Sequence, residues 1–480
     1  QRKVDSFIYL VISTDIFDRS EFCSAPTSEH EHLERQASSY DELEEQKQSL
    51  LIKKHAYKQQ YASIYYVRLL KIRQAVFQSA QQRWGSLPEK PHYVEKILDI
   101  QAGQLCYMLG TVYLEMSSKP NVMNNLQDEE SIIRPNTPAK YKSDHDVISL
   151  EDESGRVEIS GSCLGREFLV TGMVVGILGK EVASGAFEAL DICLPGMPEQ
   201  DPLPENNEHK YVAILSGLNI GGDNQLDMRN ELLSEFLTGQ LGSSVDQASS
   251  STISRVILAG NSVSKSDKAV DAKKPKKYGY DSTTFNASPM LQLDDLLEEI
   301  CSTVDVDIMP GPTDPSPLHL PQQPMHPSMF VNSHKLSTFH SVTNPYWCKV
   351  DNVTFLGTSG QNIDDLYKYM DSVDRMKMAE SCMYWRHMAP SAPDTLWAYP
   401  FTDRDPFVLD KSPHVYFIGN QPQFEETLLE GPHGQKVRII LVPSFAETGI
   451  MVLVNLSTLE CSTVHISEHG IQMQDSMDES

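Results

Sequence analysis

The stretch YVAILSGLNIGG, at residues 211–222, gives an unbroken apolar run followed at once by glycines and small polar residues. Three further stretches repeat the pattern: SRVILAGNSVS at 254–264, VDVDIMPGPTDPS at 304–316 and HVYFIGNQPQF at 414–424. Short apolar runs rich in Val, Ile and Leu read as strands buried on both faces. Loops at the carboxyl ends of such parallel strands are where an α/β sheet places its ligands. A site holding two cations about 3.5–4 Å apart would need Asp, His and Asn in these loops, because carboxylate and imidazole must bridge and neutralise the metals. The loops carry Ser, Leu, Asn, Pro and Thr instead. The architecture suits a ligand site and the side chains do not suit a metal.

Outward from these turns, apolar positions at helical spacing (Leu232, Leu233, Phe236 and Leu237, then Leu293, Leu296, Leu297 and Ile300) alternate with the strands. Strand, helix, strand in that order implies βαβ units and a largely parallel sheet. GSSVDQASSST (242–252) and SKSDKAVDAKKPKKYGYDS (264–282) have loop composition, the second locally basic around Lys273 to Lys277. PEQDPLPENNE (198–208) reads as a Pro-rich acidic linker. Before it the period changes to two: LCYMLGTVYLEM (105–116), VISLED, GRVEISG, EFLVTGMVVGILGKE and AFEALDICL are short strands separated by Gly, Asn, Asp and Ser turns. Strands curling around Gly110, Gly172 and Gly176 suit a small barrel of the oligonucleotide/oligosaccharide-binding (OB) type. Its aromatic residues Tyr107, Tyr113 and Phe168 lie among acidic neighbours, which favours protein contact over nucleic-acid contact. Further upstream, Tyr57, Tyr61, Ile64, Tyr65, Leu69, Ile72 and Val76 recur at helical spacing until Gly85, as in one long amphipathic helix.

The chain has 480 residues, enough for two or three domains, and its 40% hydrophobic content fits a folded protein. With 66 Asp and Glu against 40 Lys and Arg, the formal charge is −26, so phosphate backbones are repelled except through local features or a partner. The eight cysteines, at 23, 106, 163, 193, 301, 348, 382 and 461, form no CxxC pair, which argues against a zinc ribbon or a secreted disulfide framework. No apolar run approaches the ~20 residues that span a bilayer. SFIYLVIST at 6–14 lacks a small-x-small cleavage site and does not read as a signal peptide. The chain opens on Gln1, as a fragment or a shifted gene boundary would. The sequons at Asn286, Asn352 and Asn455 read as chance matches.

The strings QQYASIYYVRL, GTVYLEM, SLEDESGRVEISG, RVILAGNSVS, DIMPGPTDPS, LPQQPMHPSMF, NPYW, VTFLGTSGQNIDDL, RHMAPSAPDTLWAYPFTDRDPF, HVYFIGNQPQF and VPSFAETGIMVLVNL carry a resemblance. From about residue 50 to 465 the chain resembles the second (B) subunit family of DNA polymerase delta. The resemblance implies a multidomain α+β and α/β protein: an N-terminal helix and OB-type β-barrel, then an inactive calcineurin-like phosphoesterase β-sandwich flanked by helices. The division is a mostly disordered 1–45, a long amphipathic helix at 46–90, the OB domain at 91–200, the phosphoesterase-like domain at 201–466 and an acidic tail at 467–480. Kinship with the active small subunit of archaeal D-family polymerases would explain a vestigial site.

Mapped onto this chain, the resemblance puts the first Asp-x-His at Ser216 and Leu218. The Gly-Asp-x-x-Asp turn falls on Gly260, Asn261, Ser262, Val263 and Ser264. Gly-Asn-His-Asp falls on Gly311, Pro312, Thr313 and Asp314, and Gly-His-Thr-His on Gly419, Asn420, Gln421 and Pro422. His387 aligns with a further ligand position, and a single histidine cannot rebuild a dinuclear centre. GTSGQ at 357–361 does not satisfy G-x-S-x-G. The paired acids Asp364/Asp365 and Asp403/Asp405 read as caps or solvated faces.

The expectation is therefore a noncatalytic nuclear scaffold with no cofactor of its own. It would grip the C-terminal domain of the polymerase's catalytic subunit, which carries zinc and an iron–sulfur cluster. It would also dock the third subunit, which recruits the sliding clamp, in replication and repair synthesis, and would meet DNA mainly through the complex. Two alternatives stand beside it: a residual phosphoesterase using Asp314 and His387, and a single-stranded DNA-binding OB protein.

Overall fold

A computed structural model of the chain describes residues 34–475 apart from 54–55, 120–138, 144, 166–167, 184, 205–208, 223–226, 242–243, 265–285 and 468–469. The apolar run at 6–14 and the basic stretch Lys273 to Lys277 lie outside the described residues.

Residues 34–45, expected to be disordered, are ordered. They hold a short strand β1 (Tyr40–Asp41) and lead into helix α1 (Glu44–Leu50). The cause is a few deep anchors in a polar stretch. Arg35 donates to the carbonyls of Leu237, Ser250 and Ile253. The Tyr40 ring lies 3.7 Å beneath the Arg255 guanidinium, and its hydroxyl is 2.8 Å from that of Tyr346. Arg255 in turn donates to the buried Asp307 at 2.6 Å, so Tyr40 seals an internal ion pair.

The single helix expected over 46–90 is two. After α1 the chain turns extended at Leu51, because tertiary partners take its backbone groups: Arg404 donates to the carbonyls of Ser49 and Leu51, and Ile52 N–H donates to Gln323. Helix α2 (Ala62–Trp84) follows, and Tyr57 and Tyr61 precede it. Its buried stripe is Ile64, Arg68, Leu69, Ile72, Val76, Ala80 and Trp84, spaced to keep one face against the barrel.

The barrel strands are β2 (His92–Tyr93), β3 (Cys106–Glu115), β4 (Val147–Glu151), β5 (Arg156–Ser160), β6 (Val174–Glu181) and β7 (Phe187–Cys193). They run in the order β2-β3-β4-β5-β7-β6, and β3 pairs back onto β6 to close the ring. Closure leaves β3 with partners along both edges, as an OB fold requires. Helix α2 packs on β6 and β3, and Trp84 and Arg83 both donate to Asp191 on β7.

The second half is a sandwich of two sheets. The first comprises β8 (Tyr211–Leu215), β9 (Ile253–Ala259), β10 (Asp305–Met309), β11 (Phe339–Ser341), β17 (Ile450–Asn455), β18 (Cys461–Ser467) and β19 (Gly470–Asp475), in the order β11-β10-β9-β8-β17-β18-β19. The second adds β12 (Tyr346–Val350), β13 (Val353–Thr358), β14 (Val415–Gln421), β15 (Glu425–Glu430) and β16 (Lys436–Pro443) to β1, in the order β1-β12-β13-β14-β16-β15. The strands β8, β9 and β10 are mutually parallel, and so are β13, β14 and β16. Their predominantly apolar sequences follow from two covered faces. Ala213 and Leu215 face helices α3 (Asp227–Leu237) and α5 (Ser288–Cys301), while Val212 and Ile214 face the opposite sheet.

Two further expectations are corrected. Residues 242–252 are not all loop: Ser244–Ser251 form helix α4, whose serines return hydrogen bonds to nearby carbonyls, Ser250 to Phe236 and Ser251 to Ala248. Nor is 467–480 all tail. β19 pairs antiparallel with β18 from Ser462↔Asp475 to Ser467↔Gly470, because the exposed ladder of β18 offers a backbone partner that outweighs polar composition.

Barrel and sandwich are not merely linked. One hydrophobic core runs from Met108, Val112 and Ile177 of the barrel through Phe407, Leu356 and Ile439, under helices α6 (Gln361–Tyr369) and α7 (Arg375–Tyr384). The seven described cysteines are buried. No described helix is long and apolar enough to cross a membrane.

Candidate functional site

The four strand-end turns do converge: backbone bonds zip the turns after β8 and β9 to each other, and side chains tie in the other two. Gly217 N–H donates to Gly260 O at 2.9 Å, Asn219 to Asn261 O at 3.0 Å, Ile220 to Ser262 O at 3.0 Å, and Ser264 N–H returns to Ile220 O at 3.0 Å. From the opposite sheet, Phe445 N–H donates to Ser216 O at 2.7 Å and Ala446 N–H to Gly217 O at 3.0 Å. Asn219, Asn261 and Asn420 all sit in the left-handed region, at φ 49, 55 and 55°. Asn tolerates that region better than most side chains, which explains its recurrence after these strands.

Five of the side chains at would-be ligand positions, those of Ser216, Asn261, Thr313, Asp314 and Asn420, are occupied in holding strand ends together. Ser216 Oγ lies within reach of the carbonyls of Val442 and Pro443 and accepts from Asn420 N–H at 2.8 Å. Asn420 Nδ2 donates to Ala259 O at 3.1 Å and Ser359 O at 3.0 Å, joining β9, β13 and β14. Asn261 Oδ1 accepts from the backbone and hydroxyl of Thr313. Asp314 is buried, and its two oxygens accept from Val263 N–H at 2.9 Å and Gly311 N–H at 2.7 Å. Burial pushes its carboxyl up to about 7, against the pull of those N–H groups.

The cluster has little room. A Cβ added at Gly260, whose φ is +83°, would collide with Ser359 Oγ. One added at Gly311 would meet the Asn261 backbone nitrogen at 2.5 Å. No group of three or more His, Cys, Asp or Glu among the described residues could hold a metal. Two clefts of about 630 and 680 Å³ lie instead on either side of Asp201, where the linker crosses between barrel and sandwich, and none of the turn residues lines them.

The structure sorts the positions mapped from sequence. Ser216, Gly260, Asn261, Thr313, Asp314 and Asn420 meet in the cluster. Pro312 is only half-buried at its edge, and Ser264 takes part through its backbone alone. Leu218 is in the apolar layer under α3, and Pro422 is exposed. His387 stands elsewhere: its Nδ1 accepts from Ala389 N–H, which leaves Nε2 to donate to Asp405 at 3.0 Å, and no described residue bonds to both it and Asp314. Sequence reading missed Ser359, Asn344, Gln322 and Gln361. They form an amide network beneath the turns: Asn344 Oδ1 accepts from Ser359 N–H, and Gln322 Oε1 accepts from Asn344 and Gln361. The only available signal was the GTSGQ turn, where Gly360 adopts φ +102° at the start of α6.

His387 belongs to a second buried group, at the junction of barrel and sandwich. Arg68 of α2 donates to Asp405 at 2.7 Å, to Gly172 O at 3.0 Å, to Pro390 O at 2.7 Å and to Ala392 O at 2.6 Å. Burial alone would raise the Asp405 carboxyl, but Arg68 and His387 together hold it well below the usual carboxylate range. Burial first, then the Arg68 charge, lowers His387 to about 4. The reading of the paired acids is corrected here. Asp405 is a fully enclosed counter-ion, and Asp365 is a buried acceptor for Ser391 and Thr395.

Comparison with known proteins agrees with this layout. Residues 60–192 match the OB-fold domain of the DNA polymerase delta subunit, and 212–426 match the B-subunit family of DNA polymerases alpha and epsilon. The chain is 40% identical over 442 residues to the DNA polymerase delta small subunit of Oryza sativa subsp. japonica, covering 91% of this chain and 99% of that one. It is 37% identical over 462 residues to the small subunit of Saccharomyces cerevisiae, covering 87% and 91%. With DNA polymerase delta subunit 2 of Drosophila melanogaster it shares 33% over 418 residues, covering 87% and 95%.

Proposed function

Because the chain belongs to the DNA polymerase delta small-subunit family, and so is an accessory subunit of that polymerase, we propose that it works as a rigid bridge. One side grips the C-terminal metal-binding domain of the catalytic subunit, and another holds the third, clamp-recruiting subunit. Zinc and the iron–sulfur cluster belong to the catalytic subunit's domain, and this chain brings no cofactor. Its place of action is the nucleus, in replication and repair synthesis, with DNA met through the complex.

The observation that carries this reading is the state of the strand-end turns. In a calcineurin-like ancestor these loops would hold metals; here Ser216, Asn261, Asp314 and Asn420 are committed to hydrogen bonds between strands. A scaffold gains from that exchange, since clustered carboxylates are costly to bury and neutral turns are not. The joint core of barrel and sandwich supports a bridge as well, because a rigid body can hold two partners at fixed separation. A net charge of −26 favours basic partner surfaces.

Co-expression with the catalytic subunit's C-terminal domain tests the proposal. A stable complex through size exclusion is the expected result, and failure to associate would overturn it. Assay of the purified chain with Mn²⁺ and a generic phosphodiester should give no turnover that depends on Asp314 and His387.

A further inference from the structure

We propose that an exposed aromatic patch at the seam between the α1–α2 connection and the sandwich docks a segment of another polymerase subunit, one bearing apolar anchors flanked by Asp or Glu. The inference rests on the accessory-subunit reading and specifies a surface for it. Trp397 is 65% exposed, Leu318 60%, Tyr57 59% and Tyr61 46%. Single exposed hydrophobes need no explanation, but adjoining ones mark contact sites.

The geometry makes these one platform. Leu320 N–H donates to Trp397 O and Tyr399 N–H to Leu320 O, each at 2.8 Å, so the segments bearing Leu318 and Trp397 run side by side. The Tyr57 ring centroid is 5.6 Å from that of Tyr399, and Tyr61 donates its hydroxyl to Ala398 O at 3.2 Å. Beneath them Ile52, Ile64, Tyr399 and Phe401 form a buried cluster. The anchors are thus fixed before binding, which lowers the entropic cost of association. Trp and Tyr are the side chains that most often dominate protein interfaces.

Charge selects the kind of partner. Lys53 and Lys58, on the same connection, are exposed and have no ion-pair partner among the described residues. On a chain of −26 such a positive spot favours a short acidic segment. A nucleic acid is the weaker fit. The overall charge repels a polyanion, and Tyr57 is already edge-on to Tyr399 with its hydroxyl 3.3 Å from His319.

The test uses the full chain co-expressed with the other polymerase subunits. Trp397→Ala combined with Leu318→Ser should weaken binding to one partner subunit by roughly tenfold or more. Affinity for the other partner and the melting midpoint of the isolated chain should not change. Lys53→Glu with Lys58→Glu should slow association with that same partner and flatten its salt dependence. Unchanged affinity for every subunit would overturn the proposal. So would lost binding of a fluorescent oligothymidine while every subunit is still bound. If the unaltered chain associates with no polymerase subunit, the accessory reading itself fails, which is a distinct outcome.

Discussion

Arg68 concentrates more of the molecule's integrity than any sequence pattern suggests. It sits on the buried stripe of α2 with its charge taken up by Asp405 and three carbonyls. Arg68→Ala would leave Asp405 enclosed without a counter-ion, costing about 3–5 kcal/mol in chemical denaturation. The neighbouring His387 should make the fold acid-sensitive. Its folded value of about 4 lies below the ordinary 6.5, so the stability it contributes is present above pH 6.5 and is lost as pH falls toward 4. Denaturation at pH 7.5 and pH 5 should show a smaller acid loss in His387→Gln than in the unaltered chain. Asn420→Ala removes two donors and leaves Ala at φ +55°. About 2–3 kcal/mol of destabilisation is expected in thermal melts. At this scale sequence reading fails most. Arg68 looks like a solvated residue between aromatic positions, and Asp405 like a surface acid, because a charge paired across 337 positions leaves no local trace.

Elements are more legible. The strands β8, β9, β10 and β14 stand out because both their faces are covered, so most positions are Val, Ile, Leu or another apolar residue, and Gly or Pro with small polar residues closes each run. What hides the remaining elements is partnership with distant chain. β1 exists because Tyr40 caps the Arg255–Asp307 pair, and β19 exists because β18 offers an open ladder. The alternation in GIQMQD at 470–475 is visible, but acidic composition around it argues for a tail. Ending the chain at Ser467 should therefore expose the backbone edge of β18. Such a chain is expected to self-associate in light scattering where the full chain stays dispersed.

For the whole molecule, the two folded halves share one core, with Met108 and Ile177 of the barrel in the same apolar cluster as Leu356 and Phe407 of the sandwich. Scanning calorimetry is expected to give a single transition in place of two, since neither half can open without exposing the other's core. The sequence offers a Pro-rich linker at 198–208 and so suggests independent domains. Its start is instead stitched down: Gln200 bonds to Pro413 and Lys436, and Ser412 N–H to Glu199 O.

The sealed turns also constrain what this lineage can become. Placing a carboxylate at Ser216 or Asn261 would bury an ion with no metal to neutralise it, and would break the bonds that join the strands. No single substitution creates a ligand set, and each step toward one weakens the fold before any cation can offset the loss. The turns therefore behave as a ratchet: selection can polish the surfaces, but a route from this cluster to metal chemistry is closed one residue at a time.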